Sequence, residues 1–243
     1  MSAQPLFELW VYLAATPLAG LTLTLVAYAA GWWSYKQSGM HPLANPVLLA
    51  VALIVSTLWL THTPYKTYFD GAQFVHFLLG PAVVGLAVPL AREWGNVRQL
   101  ALPIAGAMVV GSLVALGSAV GIAWLLGASP ATLLSLAPKS VTAPIAMGIA
   151  EKIGGLPALA AVFAVATGVI GATFGKYVLD GCRVFDWRAR GFALGLAAHG
   201  IGTARAFAVN ADAGAFAGLA FALHGLAAAL LLPVGFAVWS RFG

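Results

Sequence analysis

Eight apolar stretches, separated by short polar segments, follow one another along the sequence. They lie at roughly 9–31, 43–61, 71–91, 99–126, 131–150, 156–180, 189–209 and 214–240. A helix needs about 20 apolar residues to cross the core of a bilayer, and residues 99–138 carry no Asp, Glu, Lys or Arg. The pattern predicts an all-α, polytopic membrane protein with about five to eight transmembrane segments, folded as a single transmembrane domain over residues 1–243.

The composition excludes a soluble globular protein. Hydrophobic residues make up 61% of the chain and charged residues only 8%, which is too few to cover a water-exposed surface of this size. The formal net charge of +5 comes from basic residues between the apolar stretches. Their position favours contact with lipid headgroups and argues against nucleic acid as a partner. We expect a multi-pass protein of the inner (cytoplasmic) cell membrane.

Three of the apolar stretches contain residues that interrupt helices. Residues 79–90 and 136–149 each hold two prolines, and residues 197–206 hold two glycines. Irregular backbone survives at membrane depth only where it is buried in protein or lines a cavity, so we predict two or three broken or re-entrant helices. If only 131–150 turns back, the loop lysines and arginines divide seven to two between the membrane faces, as the positive-inside tendency favours.

Two of the interrupted stretches also resemble each other. Residues 79–93 and 136–152 both begin with leucine, a small residue and proline, hold a second proline, and end in charged residues. Paired interruptions of this kind are typical of transporters built from structural repeats. They predict an internal inverted repeat in which Pro81 and Pro138 approach each other near the middle of the bilayer. The alternative is a chance match between two proline-rich stretches.

Lys139 is the most informative charged residue, because it lies inside the 136–149 stretch next to Ser140 and close to Thr142. A cation and two hydroxyl groups at a helix break suit an anion, since the free N–H groups of a half-helix add positive potential. The alternative is that the Lys139 side chain extends to lipid headgroups at the end of its segment.

The 197–206 stretch supplies a second group of candidates. Arg205 offers a planar fork that matches a carboxylate, and Thr203 adds a hydroxyl group. We expect Arg205 to be needed for substrate affinity, in a way that lysine cannot replace. The alternative is a structural ion pair between Arg205 and Asp212 or Glu151.

The histidines have a simpler interpretation. His199 lies six residues before Arg205 and could exchange a proton near neutral pH. A lone histidine on an apolar helix is more often a hydrogen-bonded packing residue, and this is our interpretation of His76 and His224. We further expect Lys139 and Thr142 to line the same cavity as His199 and Thr203, because separate polar cavities would double the cost of burying polar groups.

Four pairs of small residues follow the GxxxG pattern that lets membrane helices approach closely. They predict tight helix packing, and the surfaces that they form favour a homodimer. The pairs are Gly117/Gly121, Gly171/Gly175, Gly191/Gly195 and Gly214/Gly218.

An enzyme is the weakest hypothesis for this sequence. It contains no G-x-S-x-G nucleophile elbow, no HExxH and no phosphate-binding loop. A single cysteine, Cys182, excludes a disulfide within the chain and a multi-cysteine metal site. We expect no catalytic residue, no metal and no cofactor.

Several motifs resemble the LrgB/CidB family, whose relatives include the plastid glycolate/glycerate translocator. The resemblance rests on long, specific segments and covers nearly the whole chain. They are PLANP (42–46), PYKTYFDG (64–71), LLGPAVVGLAVPL (78–90), PKSVTAPIAMGIAEKIGGLPAL (138–159), TGVIGATFG (167–175) and AHGIGTARA with GAFAGLA (within 198–220).

This resemblance implies two different functions. One is transport of small carboxylates such as glycolate, glycerate, pyruvate or lactate. The other is an antiholin-like role in murein hydrolase export and autolysis, together with a small LrgA/CidA-type membrane partner. Ala208 departs from the family, in which an acidic residue often follows the GTARA motif, so that Arg205 has one candidate partner fewer.

The residues favour transport over lesion formation. Helices that only oligomerise do not need proline-broken segments with buried lysine, arginine and hydroxyl groups, whereas a polar ligand does. We expect a small carboxylate anion as substrate, held at the broken helices by a set of ten residues. The set is Gly80, Pro81, Lys139, Ser140, Thr142, His199, Gly200, Gly202, Thr203 and Arg205.

Overall fold

The fold is known from a computed structural model, which describes residues 17–77, 91 and 94–239. Every regular element in these residues is a helix, which confirms the predicted all-α class. The chain divides into two compact units, residues 1–85 and 86–243, where a single domain is expected from the sequence. Each unit is described by itself.

In the first unit, α1 (Pro17–Gln37) packs against α2 (Pro46–Leu60) and α3 (Tyr65–Phe77). A short 3₁₀ turn, Pro42–Ala44, precedes α2. The Asn45 side chain starts α2 by accepting hydrogen bonds from two backbone N–H groups, at 2.9 and 3.2 Å. Thr24 and Tyr68 join α1 to α3 through their hydroxyl groups, which lie 2.8 Å apart. Candidates Gly80 and Pro81, and the proposed pairing of Pro81 with Pro138, lie outside the described residues.

The second unit contains the remaining helices in a simple order. Among the described residues, four helices are long and apolar enough to cross a membrane, namely α5, α8, α9 and α10. The elements are α4 (Trp94–Gln99), α5 (Ala101–Leu125), α6 (Pro130–Leu136), α7 (Ala143–Ile153), α8 (Pro157–Gly181), α9 (Trp187–Val209) and α10 (Ala211–Trp239).

Residues 130–153 form a helical hairpin, here called the first hairpin. The helix breaks after Leu136, and α7 then brings the chain back to α6. The Leu156 N–H, which follows α7, donates a hydrogen bond to Ser135 Oγ of α6 at 2.7 Å. A Cβ on Gly155 would lie 2.9 Å from the Ser135 nitrogen, so only glycine allows this approach. The sequence leaves open which of the three interrupted stretches turns back, and the structure shows a reversal in this one, with its break inside 136–149.

The first hairpin is held by a small apolar core. Buried alanine, valine and isoleucine side chains of the hairpin pack on α8 and α10, so side chains fix its position. They are Val141, Ala146, Ile149, Ala150 and Ile153 on the hairpin, Ala160 and Ala164 on α8, and Ala228 on α10.

Helix α9 is a second hairpin, although its 23 residues would suffice to cross a membrane. Its backbone leaves helical geometry at Ala198 and at His199, where φ is 42°. The second half then folds back on the first. This is shown by the contact of Gly202 with the first half, where an added Cβ would clash with the Leu194 carbonyl and would lie 2.7 Å from the Ala198 Cβ. The sequence predicts an interruption here, and the structure shows a reversal of direction.

The two hairpins enter from opposite ends of α8. The first hairpin returns beside the start of α8, which begins at Pro157. The open end of the second hairpin lies at the other end, where Trp187 and Val209 border the same cavity as Leu179. Since α8 is about 37 Å long at 1.5 Å per residue, two hairpins of about half that length meet near its middle.

Most of the predicted glycine pairs serve packing within the chain. A Cβ on either Gly191 or Gly195 would clash with a backbone carbonyl of α10, and one on Gly171 or Gly175 would lie within 2.6 Å of a side chain of α9. Gly214 packs on the Phe207 ring. Among the described residues, Gly117 and Gly121 of α5 have nothing within 4 Å, so this pair alone of the four remains as support for a homodimer.

Candidate anion-binding site

The tip of the first hairpin, residues 137–142, brings a cation to a hydroxyl group. Two backbone hydrogen bonds shape the turn, from the Lys139 N–H to the Leu136 carbonyl at 3.0 Å and from the Val141 N–H to the Pro138 carbonyl at 3.2 Å. The Lys139 ammonium group donates to Ser140 Oγ at 3.2 Å. Ser140 is 5% exposed and Lys139 is partly buried, so the contact between them is largely shielded from solvent.

A cavity of about 230 Å³ opens beside this tip, between α5 and α10. Pro138, Ser140 and Val141 line it from the hairpin. Most of its wall is aliphatic, including Leu113 of α5 and Leu231 of α10. A mostly apolar cavity with a few convergent polar groups is typical of sites for small molecules.

The cavity also contains a polar pair that sequence reasoning missed. Ser112 Oγ of α5 lies 2.9 Å from His224 Nδ1 of α10, and both residues line the cavity. His224 is 8% exposed, so the imidazole lies inside the protein. The available signal was an ionisable group and a hydroxyl in the middle of two otherwise apolar helices.

The tip of the second hairpin is satisfied by protein groups. The Ala164 carbonyl of α8 can only accept, so His199 Nε2 carries the proton and donates to it at 2.8 Å. Thr203 Oγ1 donates to the His199 carbonyl, also at 2.8 Å. A Cβ on Gly168 would lie 2.8 Å from the His199 ring, so glycine makes room for it. His199 thus binds the helix break to α8, and Thr203 stabilises the break from within α9. Neither residue borders the 230 Å³ cavity.

The two tips adjoin each other. Thr142 Cγ2 lies 4.0 Å from the position that a Cβ on Gly200 would occupy. The tips are therefore neighbours, but none of Lys139, Thr142, His199 and Thr203 lines the 230 Å³ cavity, so the single cavity expected to contain all four stays a prediction. Gly202 has a packing position inside the second hairpin, against Leu194.

Arg205 lies elsewhere. It borders a separate cavity of about 90 Å³, together with Lys176, Trp187 and Arg190. Arg190 donates to Asp180 Oδ1 at 2.7 Å, and its guanidinium lies 5.4 Å from the centre of the Trp187 ring. The structure thus separates Arg205 from the cavity beside Lys139 and Ser140.

Asp186 caps the start of α9 and itself lies in the loop between α8 and α9, outside the membrane-spanning segments. Its carboxylate accepts a hydrogen bond from the Arg188 guanidinium at 3.0 Å and from the backbone N–H groups of Arg188 and Ala189 at 2.8 and 3.1 Å. These bonds, first that from the Arg188 side chain, lower the pKa of Asp186 below its ordinary value. The open end of the second hairpin is therefore stabilised by an ionised carboxylate.

Within residues 17–77, 91 and 94–239, no three His, Cys, Asp or Glu side chains come together in a way that could hold a metal ion. The polar groups that line the cavity are instead two serine hydroxyls and an imidazole, and the Lys139 ammonium group donates to one of these serines. This donor set suits an anion or a neutral polar group.

Comparison with known proteins gives consistent family matches. The model of the LrgB-like family matches residues 24–238. The uncharacterized protein YxaC of Bacillus subtilis (strain 168) is 37% identical over 186 residues, which are 76% of this chain and 80% of YxaC. The uncharacterized protein YwbG of the same strain is 34% identical over 206 residues, which are 85% of this chain and 91% of YwbG. The antiholin-like protein LrgB of Bacillus mycoides (strain KBAB4) is 29% identical over 219 residues, 90% of this chain and 95% of its own. No solved structure matches the chain.

Proposed function

The chain belongs to the LrgB-like family, and on that premise we propose that it transports small carboxylates, of the glycolate, glycerate, pyruvate or lactate type, across a membrane. The observation that carries this proposal is the Lys139–Ser140 pair at a helix break beside a partly open, mostly apolar cavity. An ammonium group and a hydroxyl at that position complement a carboxylate, and the aliphatic wall complements its short carbon chain.

The arrangement of the two hairpins supports movement of a ligand. They enter from opposite ends of α8, and their tips meet at Thr142 and Gly200. A ligand at the tip of the first hairpin lies near this meeting point, with one hairpin towards each side of the membrane. Displacement of the first hairpin relative to the anchored second hairpin would change the side to which the site opens, as alternating access requires.

The charges of the second unit suggest an orientation in the inner (cytoplasmic) membrane. Five basic residues gather at the end where α5 begins and α8 meets α9, whereas Lys152 lies at the opposite end. On the positive-inside tendency, the first end faces the cytoplasm and the second hairpin enters from that side. The five are Arg98, Lys176, Arg183, Arg188 and Arg190.

Counterflow of labelled glycolate, pyruvate and lactate in proteoliposomes of the pure protein tests the proposal. We expect exchange with at least one of the three acids. Lys139→Gln should weaken apparent affinity at least about tenfold, because a charge-assisted hydrogen bond contributes about 1.5–3 kcal/mol. Lys176→Gln is the matched control, since Lys176 pairs with Asp180 on an exposed helix face and should leave affinity unchanged. Absence of exchange by a well-folded protein would refute the proposal.

An antiholin-like role is the second candidate, and the relatives' names favour it more directly than they favour transport. The relative in Bacillus mycoides is named antiholin-like LrgB. In this role the chain would act with a small LrgA/CidA-type membrane partner to control murein hydrolase export and autolysis. The open Gly117/Gly121 face of α5 is where a helix of that partner, or of a second copy of this chain, would fit.

Cross-linking separates these two candidates. A cysteine in place of Gly117, on a Cys182→Ser background, should cross-link to a co-expressed small partner if the antiholin-like reading is right. A cysteine in place of Ile122, which is also exposed but lies about 140° around α5 from Gly117, is the control. Partner-dependent lysis control together with no counterflow by the purified chain would favour the antiholin-like role over transport.

A further inference from the structure

The cavity beside the first hairpin has two groups of polar side chains in its wall. In one group, Ser140 accepts a hydrogen bond from Lys139. In the other, Ser112 and His224 form their own hydrogen bond at 2.9 Å, on helices that are otherwise apolar where they line the cavity. Polar groups in the middle of membrane helices cost stability, so a pair that faces a cavity requires an explanation beyond packing.

We propose that Ser112 and His224 bind the oxygen on carbon 2 of the substrate, so that the cavity selects 2-hydroxy and 2-oxo carboxylates over simple carboxylates. This inference rests on the proposed transport function and assigns the residues that read the substrate. Lys139 and Ser140 hold the carboxylate, whereas Ser112 and His224 hold the neighbouring hydroxyl or keto oxygen.

The chemistry of the pair allows a third partner. A serine hydroxyl both donates and accepts, and an imidazole has a second ring nitrogen in addition to the Nδ1 that faces Ser112. The pair can therefore donate to a keto oxygen or accept from a hydroxyl group. This adaptability matches a site that takes both oxidation states of carbon 2.

The size and lining of the cavity limit the rest of the substrate. A volume of about 230 Å³ accommodates several water-sized groups, which is enough for a two- or three-carbon acid. Leu113, Leu231 and Val109 line the remaining wall, so the methyl group that forms carbon 3 of lactate or pyruvate would contact aliphatic side chains. A second carboxylate would have to be buried against those residues.

Selectivity for acids with an oxygen on carbon 2 follows because an acid without that oxygen leaves Ser112 and His224 without a ligand partner. A site built to hydrogen-bond a substrate hydroxyl rejects an analogue without it, because the desolvated polar groups of the site then lack a ligand partner. Propionate differs from lactate only by the oxygen on carbon 2. We therefore expect propionate to compete at least about tenfold less well than lactate for wild-type counterflow.

The test is competition by lactate and propionate in the wild type, Ser112→Ala and His224→Leu. Both variants should bring the lactate-to-propionate ratio towards one, mainly by weakening lactate. Ser118→Ala is the matched control, since Ser118 lies on the same helix but is exposed and outside the cavity. Thermal stabilisation of each purified variant by the two acids gives the same ratio without transport, and Ser112→Ala serves where His224→Leu does not fold.

Two results would overturn the inference while the proposed function stands. One is a wild type that exchanges lactate and propionate equally well. The other is folded Ser112→Ala and His224→Leu proteins that keep the wild-type ratio. Failure of the wild type to exchange or bind any of these acids would instead refute the transport function itself, and this inference with it.

Discussion

The two helical hairpins are alike in construction and opposite in chemistry. Each reverses at a helix break and is followed by a long helix, α8 or α10. Their sequences correspond loosely, with Leu-Ala before each break and Thr-Ala after it, at residues 136–143 and 196–204. In the first, the ammonium group of Lys139 and the hydroxyl of Ser140 lie beside a cavity. In the second, His199 and Thr203 bond to protein backbone.

This difference shows how a membrane protein can use one device for two purposes. A helix break exposes backbone polar groups, which must be satisfied inside the membrane. The second hairpin satisfies its break with its own side chains, so it acts as a fixed anchor on α8. The first hairpin places its polar side chains beside an empty volume, so a ligand can complete it. Binding and anchoring are thereby separated between two similar elements.

The largest effect is expected from filling the glycine contact that positions the second hairpin. Gly191→Ala places a methyl group against the Ala213 carbonyl, and overpacking of this kind costs about 1–3 kcal/mol or more because backbone must move. Gly148→Ala in the first hairpin meets nothing within 4 Å among the described residues and should be neutral or slightly stabilising. Folded yield and melting temperature in detergent measure both. Equal melting temperatures would show that the hairpins are not held differently.

The anchor itself should affect stability and not substrate affinity. His199→Ala removes the hydrogen bond to Ala164 and leaves a void beside Gly168, so we expect a loss of about 1–3 kcal/mol in the free energy of unfolding. The apparent affinity of the folded fraction for lactate should stay within about twofold of wild type. A variant with unchanged melting temperature and lost affinity would instead place His199 in the binding site.

Arg205 gives a smaller test of the same separation. Since it borders a cavity other than the one beside Ser140, Arg205→Lys should change substrate affinity by less than about threefold. This expectation reverses the one drawn from the sequence, in which the guanidinium fork binds the carboxylate. Counterflow affinity of the folded variant decides between them, because a loss of tenfold or more would return Arg205 to the site.

The smallest expected effect concerns acid stability at the open end of the second hairpin. The pKa of Asp186 is lowered in the folded protein, so its contribution to stability is present above about pH 4 and is lost as the pH falls through the folded pKa. Asp186→Asn keeps a capping side chain but cannot ionise. Melting temperatures from pH 7 to pH 3 should therefore fall less steeply in this variant than in wild type. Parallel curves would show that the Asp186 charge contributes nothing.

The sequence predicts the fold well where local patterns decide it. Apolar runs mark α5, α8 and α10, and Pro138 with Pro144 marks the break in the first hairpin. The reversal within α9 is less visible, because its glycines permit a break but do not set an angle. That angle follows from packing, since Gly191 and Gly195 fit only against the backbone of α10.

The candidate site was only partly predictable for a similar reason. Lys139 and Ser140 are adjacent in sequence, so their pairing is local. Ser112 and His224 are 112 residues apart, and only the packing of α5 against α10 brings them together. The side of a helix on which Arg205 lies is likewise decided by the hairpin's reversal. Sequence patterns identify costly polar residues in membrane helices but do not show which of them share a cavity.

The central claim is that substrate binds at the tip of the first hairpin and not at that of the second. Two single-cysteine variants test it, on a Cys182→Ser background that removes the exposed native thiol. One is Ala137→Cys, at a position that lines the cavity, and the other is Thr203→Cys, at a position that is 2% exposed. With a membrane-permeant thiol reagent, we predict that the Ala137→Cys protein is labelled and that lactate slows the labelling, whereas the Thr203→Cys protein is labelled slowly with or without lactate. Lactate-sensitive labelling of Thr203→Cys, together with lactate-insensitive labelling of Ala137→Cys, would contradict the account.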